Sequence, residues 1–495
     1  MAITLISNSG TFRPAYNPIQ WVVSSNNVSR CEFVYLCDVY INGDFIIRLK
    51  AEAGVNDYGY FRIERVLQDY LSKDFRHNLV GFASNTNSSC EYYLEFREQY
   101  NTNYATTCVG SDTISAIQYT SATCQAWNGA LQYKELLNFS ANSYILNSST
   151  TKFLNFTPAK MRIPLDGYFV ASFLQVYSTT PADTLEIKTY DSSFTLLNTY
   201  YLYNDTSPVI SGAHSSVGCG AQNLNDHSEQ LSPVATWIDS SVAFYTVQLL
   251  DATTAAVSEA ILFEIDNRCT KYNKYRLWWL NKKGAFNSYS FNMVASRRVD
   301  TTQVTYDKLL DVSYTEGDRG KSVINVDAQE AYVFQTDRVR KEECDYLEDL
   351  YTSPEIYVSD SNLVELSIAI TGAVYNAGTA SFVLSVPSGY TVPVGTKFIY
   401  FVSDGSPIGM ANTGGGVVTD IDSITGYYET NVPATINAGA LITGYLVANV
   451  PETKIIPMIR TTTTFEDNSL PKPTNTAINY AIELQPSYKL NIQSY

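Results

Sequence analysis

The chain has 495 residues, of which only 17% are charged, and it contains 38 tyrosines and 22 phenylalanines. A length of this order corresponds to roughly three or four domains, and a composition rich in aromatic residues but poor in charge is typical of β-strands rather than helices. The formal net charge of −16 repels phosphate backbones, so no specific nucleic-acid partner is expected.

The N-terminus and the cysteines set two further limits. The sequence contains no run of 18 apolar residues and does not begin with a basic, apolar leader, so neither a membrane partner nor a signal peptide is expected. The eight cysteines form no CxxC pair, which favours free buried thiols. Cys31 and Cys37 share one predicted strand, where they would lie about 20 Å apart and could not pair.

The first clear element is a β-hairpin over residues 32–50. Asn42 and Gly43 stand between two strand-like runs, and this dipeptide fits a tight turn whose two central residues both need positive φ. A short helix is expected next, over residues 61–72, because apolar residues recur there at helical spacing. These residues are Ile63, Val66, Leu67, Tyr70 and Leu71.

Residues 124–300 show repeated strands separated by turn residues. Leu185, Ile187 and Thr189 alternate with polar neighbours before one turn. The same period-2 pattern marks two later strands, at Tyr245, Val247 and Leu249 and at Ile261, Phe263 and Ile265. Several successive hairpins of this kind predict a β-sandwich.

The C-terminal part is expected to combine a helix, strands and an inserted domain. A helix is predicted over residues 337–351, with Thr336 or Asp337 as its cap and Pro354 just beyond its end. A strand over residues 355–358 and a closing strand over residues 477–485 follow from their patterns. From residue 369 to residue 450 the composition changes to Gly, Ala, Val and Thr, which indicates an independent small β-domain inserted into a hairpin loop.

The sequence therefore predicts a mainly β protein, with several β-sandwich modules, two short α-helices and one inserted small β-domain. The four modules are an N-terminal β module with a short helix, a β-sandwich, a C-terminal β module with a helix, and the insert. Their bounds are 1–123, 124–300, 301–368 together with 451–495, and 369–450.

Candidate catalytic and metal-binding residues are few, since the chain has only three histidines and none lies in a recognisable motif. We therefore expect no catalytic residues, no cofactor, no metal and no enzymatic activity. Two groups of possible metal ligands do not match the spacing or ligand number of a standard site. They are His214, Cys219, Asp226 and His227, and, for calcium, Asp420 and Asp422 beside the predicted loop Gly414–Gly416.

A set of six residues is expected to form an interface. Adjacent strand residues point to opposite faces, so one of the two neighbouring tryptophans should face another domain, a partner subunit or water. A basic hairpin and the acidic helix at 337–349 have complementary charges, which predicts a contact between copies in a ring. The six residues are Trp278, Trp279, Lys282, Lys283, Glu342 and Glu343.

Three segments of the chain resemble tail structural proteins of tailed phages that infect Bacteroidetes, including the crAss-like group. Residues 257–291 (VSEAILFEIDNRCTKYNKYRLWWLNKKGAFNSYSF) are similar to a pattern of Cys, apolar-Trp-Leu-Asn, Gly and an aromatic strand. Residues 344–358 (CDYLEDLYTSPEIYV) resemble a helix followed by a strand in that family. The ending, with strands at 455–460 and 479–485, resembles the family's paired final strands.

The resemblance covers less than a third of the chain and departs from the family at Lys282-Lys283-Gly284-Ala285, where Gly-Gly or an aromatic residue is usual. It implies a β-sandwich component in a hub, ring or baseplate-like position of the tail, and it transfers no catalytic residues. The expected partners are further copies of the chain in a ring and other tail or portal-proximal proteins. The expected location is the virion tail, after assembly in the host cytoplasm.

Two alternative functions were compared with this one. In the first, the inserted domain projects from the body and binds a host surface receptor, as insertions at loop tips can. In the second, the chain is an enzyme that acts on the cell envelope. The second ranks last because no acid and base residues are placed together in the sequence.

Overall fold

The fold is described from a computed structural model, in which the mainly β class predicted from the sequence is confirmed, with several sheets and only short helices. The structure describes residues 3–101, 111–155, 158–176, 182–204, 214–231, 236–266, 274–293, 295–307, 309, 312–315, 320–360, 366–376, 381–385, 397–403, 410–422, 427–430, 442–448, 454–461 and 478–487. The chain separates into two compact units, one of them formed by Val358–Ile456 with Asn273–Tyr275. Each unit is described by itself.

The N-terminal elements form two sheets. One has the order β1-β3-β6, and the other has the order β2-β11-β8-β4-β5 with β9 and β10 also on β8. The elements are β1 (Ile3–Asn8), β2 (Phe12–Pro14), β3 (Gln20–Ser25), β4 (Val34–Ile41), β5 (Asp44–Glu52), a 3-10 turn (Val55–Asp57), β6 (Tyr58–Arg62), α1 (Glu64–Gln68), β7 (Phe82–Ser84), β8 (Ser89–Asn101), β9 (Asp112–Ile114), β10 (Tyr119–Thr120) and β11 (Cys124–Trp127).

The two N-terminal sheets share one core, in which Trp21 of β3 packs against Phe96 of β8. The predicted hairpin is confirmed: Asn42 and Gly43 have φ of 51° and 91° and join β4 to β5. The predicted helix is shorter than expected, because residues up to Arg62 pair with β3 and only Glu64–Gln68 is helical.

The module boundary predicted after residue 123 lies directly before strand β11, which belongs to the N-terminal sheet. The four residues of β11 pair with β8 on one side, and Gln125 to Trp127 pair with β2 on the other. The boundary therefore falls at the first residue of a strand in the N-terminal sheet. A strand's partners, distant along the chain, leave no signal in the composition around it.

The middle part of the chain adds a five-stranded sheet with the order β12-β18-β17-β14-β15 and a three-stranded sheet with the order β13-β16-β7. The predicted alternation is confirmed, since Leu185, Ile187, Val247 and Phe263 are all buried. The elements are α2 (Tyr133–Asn138), a 3-10 turn (Ala141–Ser143), β12 (Met161–Ile163), β13 (Val170–Leu174), β14 (Thr184–Tyr190), β15 (Leu196–Tyr203), β16 (His214–Gly218), α3 (Ala221–Leu231), β17 (Phe244–Leu250), β18 (Ile261–Ile265), β19 (Tyr275–Leu280) and β20 (Phe286–Phe291). Helices α2 and α3 were not predicted.

The remaining strands form two further structures. Some of them join β19 and β20 in a second seven-stranded sheet, with the order β20-β19-β23-β30-β31-β22-β21, and the others form a closed barrel with the order β24-β25-β28-β27-β26-β29. The remaining elements are β21 (Ser296–Asp307), β22 (Lys321–Val339), α4 (Lys341–Thr352), β23 (Ile356–Asp360), β24 (Leu366–Asn376), β25 (Ser381–Ser385), β26 (Lys397–Ser403), β27 (Met410–Asp422), β28 (Tyr427–Thr430), β29 (Ile442–Ala448), β30 (Lys454–Arg460) and β31 (Ile478–Pro486). The barrel strands lie in the second unit, which contains the predicted insert at 369–450.

Two predictions in this region are wrong. Helix α4 begins at Lys341, not at residue 337, because β22 continues to Val339 and pairs with Ile478 of β31. The cap is therefore Arg340, and neither Thr336 nor Asp337 caps the helix. Residues 414–416, predicted to form a loop, lie within strand β27 and pair with β26.

Among the described cysteines, Cys31 departs from the free-thiol prediction. Cys31 is disulfide-bonded, and it lies in the turn before β4 rather than in the strand. Cys37 is free, so the two do not pair, as predicted. The other free thiols in the described residues are those of Cys90, Cys124, Cys219 and Cys344, all buried.

Candidate functional site

Strand β19 carries the two tryptophans that were predicted to form part of an interface. The exposed fraction is 1% for Trp278 and 0% for Trp279. The Trp278 ring lies 5.9 Å from that of Phe75, and the Trp279 ring lies 5.2 Å from that of Tyr346 on α4. Both faces of the strand are thus covered by this chain, so neither tryptophan is available at the surface of the folded chain.

The basic hairpin and the acidic helix do meet, but within one chain. Lys282 lies in the turn between β19 and β20, and its Nζ is 2.5 Å from Glu135 Oε1 and 3.4 Å from Asp349 Oδ1. Asp349 belongs to α4, the helix that was expected to face another copy. The expectation that this charge pairing joins neighbouring copies is therefore corrected, because Lys282 is already paired inside the chain.

The two predicted glutamates at the start of α4 differ in their surroundings. Glu342 is exposed, whereas Glu343 is buried. The Arg340 N–H donates to Glu343 Oε2 at 2.7 Å, and Glu343 Oε1 lies 3.7 Å from Arg162 Nε. Glu343 therefore caps its own helix and faces inward, which removes it from the predicted interface.

An open cleft of about 650 Å³ lies beside the hairpin turn that holds Lys282 and Lys283. Helix α2, the segment after it, the start of β18 and one face of α4 form its walls. The charged and tyrosine side chains that line it are Glu135, Tyr144, Lys152, Glu259, Lys282, Lys283, Asp345, Glu348 and Asp349.

Burial shifts the pKa values of several groups in the cleft. It lowers the pKa of Lys283 to about 8, and the Lys283 Nζ lies 4.8 Å from the centre of the Tyr144 ring. Burial also raises the pKa values of Asp349 and Glu259. Because ammonium groups and carboxylates are mixed here, the cleft can pair with both cationic and anionic groups. It has no uniform electrostatic potential that would favour ligands of one charge. Glu135, Tyr144 and Glu259 lie in separate segments with no shared spacing, so no sequence pattern indicates that they meet.

The candidate metal ligands are used in other contacts. His214 Nδ1 lies 2.7 Å from Ser88 Oγ, and burial lowers the pKa of His214 to about 3. The His227 ring packs against Trp237, and the Cys219 thiol is buried. No group of three or more His, Cys, Asp or Glu residues is placed to hold a metal ion in the part of the chain that the structure describes. The side chains of Asp420 and Asp422 lie outside that part.

A second candidate site is an exposed two-stranded ribbon, which we call the arm: residues 299–307 of β21 and 321–328 of β22. All twelve residues of β21 are exposed. Strand β22 pairs with β21 on one side and, among the described strands, with β31 on the other. The pairing with β31 runs from Tyr332 to Val339 and does not include the residues of the arm. The exposed apolar side chains of the arm are Val299, Val304, Tyr306, Val323 and Ile324.

An arm of this kind is typical of a binding element. A two-stranded ribbon is at best marginally stable by itself in water. Clustered apolar side chains on a protein surface commonly mark a site of contact with another protein. The arm therefore has the composition and the open edges of a surface that is covered in an assembly.

Comparison with known proteins identifies no family. No protein-family model matches the chain, and no curated protein matches it either. Among the described residues, no helix is long and apolar enough to span a membrane.

Proposed function

We propose that this chain is a structural protein of the virion of a tailed bacteriophage, present in many copies in a ring, hub or baseplate-like assembly of the tail. It associates with further copies of itself and docks neighbouring tail or portal-proximal proteins. It performs no catalysis and uses no cofactor. It is made in the host cytoplasm and stays in the assembled particle.

The arm is the observation that carries the self-association. It exposes five large apolar side chains and two strand edges, a combination that a protein acting alone in water usually avoids. The mainly β body agrees with the fold that the resemblance implies. The phage assignment itself rests on the resemblance of residues 257–291.

Electron microscopy of phage particles tests this proposal. An epitope tag at the C-terminus of the chain should give antibody-gold label at the tail of particles purified on a density gradient. Untagged particles provide the control. Label that stays in the unassembled protein fraction, with none on particles, would contradict the assignment.

A second candidate function, host attachment, is favoured by one observation. The barrel belongs to a compact unit of its own, and the strands that lead into and out of it, β23 and β30, are neighbours in one sheet. An insertion of this kind can carry a binding surface without disturbing its host sheet. In this case the purified chain should bind host cells, and deletion of residues 369–450 should abolish that binding.

A further inference from the structure

Strand β15 is an unusually open sheet edge. Among the described strands it pairs with β14 alone. Its eight residues, LLNTYYLY, include no charge and no proline, and four of its apolar side chains are exposed. Those four are Leu196, Leu197, Tyr201 and Tyr203.

Three other edge strands of the described part of the chain are protected in the usual ways. Strand β5 carries four charged residues, β2 ends at Pro14, and β1 contains a register shift between Leu5 and Ser7. Charges, prolines and bulges are devices that stop edge strands from pairing with other chains. Their absence over most of β15, whose one register shift lies near its start, leaves this edge ready to accept a strand.

The arm presents a matching edge. Strand β21 ends its sheet, and its residues 301–306, TTQVTY, are uncharged and rich in residues that favour strands. This stretch spans about 20 Å and β15 spans about 26 Å, so one fits along the other. Both edges are neutral, and both display exposed aliphatic and tyrosine side chains.

We propose that the arm of one copy adds residues 301–306 of β21 to the β15 edge of the next copy. The inference rests on the proposed self-association and names the surfaces that perform it. Main-chain hydrogen bonds between the two edges provide affinity, as in other cases of strand addition. Val304 and Tyr306 then pack beside the exposed tyrosines of β15.

A second copy of the chain is the occupant because each copy carries both halves of the contact. A head-to-tail arrangement covers the β21 edge of the arm and the β15 edge of every subunit without a third protein. Such a heterologous contact generates a ring when its rotation closes. Pairing of β15 with β15 across a twofold axis would cover that edge but leave the arm exposed.

Three double variants of the full-length chain test the contact. The arm variant is Val304→Lys with Tyr306→Lys, and the edge variant is Tyr201→Lys with Tyr203→Lys. The control variant, Tyr70→Lys with Tyr133→Lys, changes exposed tyrosines elsewhere. Native masses are measured by analytical ultracentrifugation, and circular dichroism verifies that each variant is folded.

We expect wild type and the control variant to form the same oligomer, and the arm and edge variants each to be monomeric. An equimolar mixture of the arm and edge variants should form dimers and stop there. Each such dimer has one intact contact, made by the arm of the edge variant and the β15 strand of the arm variant.

Other outcomes overturn the inference, and they separate it from the proposed function. Oligomers of folded arm or edge variants, or a mixture that stays monomeric, exclude this contact but leave self-association through another surface. A β15-to-β15 dimer would survive in the arm variant. A wild-type chain that is monomeric at every concentration overturns both the contact and the proposed self-association.

Discussion

Two adjacent glutamates in the first turn of α4 differ sharply in burial and role. Glu343 accepts the hydrogen bond of the Arg340 N–H and is buried, whereas Glu342 is exposed. We expect Glu343→Ala to lower the free energy of unfolding by about 1 kcal/mol. Glu342→Ala should change it by less than about 0.5 kcal/mol. Urea denaturation followed by tryptophan fluorescence measures both, and equal losses would contradict the capping role of Glu343.

The lowered pKa of Lys283 predicts that the free energy of unfolding depends on pH. Its pKa is lowered to about 8 in the folded chain by burial, whereas a lysine in an unfolded chain titrates near about 10.4. Between these values the unfolded chain binds more protons, so the contribution of Lys283 to the free energy of unfolding rises with pH. The free-energy cost of burying the charged Lys283 side chain is greatest below about pH 8.

Lys283→Met removes this titration. The difference in urea midpoint between the variant and wild type should favour the variant most at pH 7 and shrink by pH 10, because wild type is relieved of the charged lysine as pH rises. Measurements at both pH values test this. A difference that stays constant, or grows in favour of the variant, would show that Lys283 is not held in a desolvated position.

For single residues, burial was predictable where apolar residues alternate strictly, whereas side-chain partners were not predictable. Strict alternation placed Leu185 and Ile187 inside correctly, because a strand in a half-buried sheet has a period of two. Lys282 was assigned to a contact between copies. It pairs instead with Glu135 and Asp349, which only the tertiary fold brings near it.

At the scale of elements, β19 is a strand covered on both faces. Trp279 contributes to the docking of α4, and Tyr346 of that helix also donates its hydroxyl to the Ser288 carbonyl at 2.9 Å. We expect Trp279→Ala to lower the free energy of unfolding by about 3 to 5 kcal/mol. Tyr133→Ala, at an exposed position on α2, is the control. If Trp279→Ala leaves the stability of the monomer unchanged but weakens the oligomer, Trp279 lies instead at an interface between copies.

The arm and helix α3 show which elements the sequence could not reveal. All residues of β21 are exposed, and its first eight, SRRVDTTQ, include a single apolar residue, so this stretch has no alternation of apolar and polar residues. Helix α3, AQNLNDHSEQL, contains few apolar residues, which is typical of a loop. It does bury residues, but Asn223 and Asn225 are among them, and a helical pattern is recognised only where the buried positions are apolar.

At the scale of the whole molecule, the mainly β class was predictable, whereas the joining of distant segments was not. Strand β7 pairs with β16, and the second seven-stranded sheet joins β19 and β20 to β30 and β31. These partners are distant along the chain, and their pairing is decided by packing that no local window records. The composition change at residue 369 was visible because the inserted segment has its own residue usage.

The two-unit division leads to a prediction about truncation. Replacing residues 361–453 with a short Gly-Ser linker should leave the remaining unit folded, because β23 and β30 are neighbours and a short loop can join them. The urea midpoint of that unit and the number of subunits in the oligomer should be unchanged. Loss of folding would show that the first unit requires the second unit in order to fold. Loss of assembly alone would show that the self-association surface lies on the barrel.

If this chain is a multi-copy structural component of a phage particle, as proposed, it should be present in purified particles in a fixed amount. Quantitative mass spectrometry of purified particles, with the portal protein as an internal standard, measures its copy number. We expect several copies per particle, in a ratio to the portal protein that stays the same between preparations. Absence of the chain from intact particles, while it is abundant in infected cells, would show that it is not a structural component.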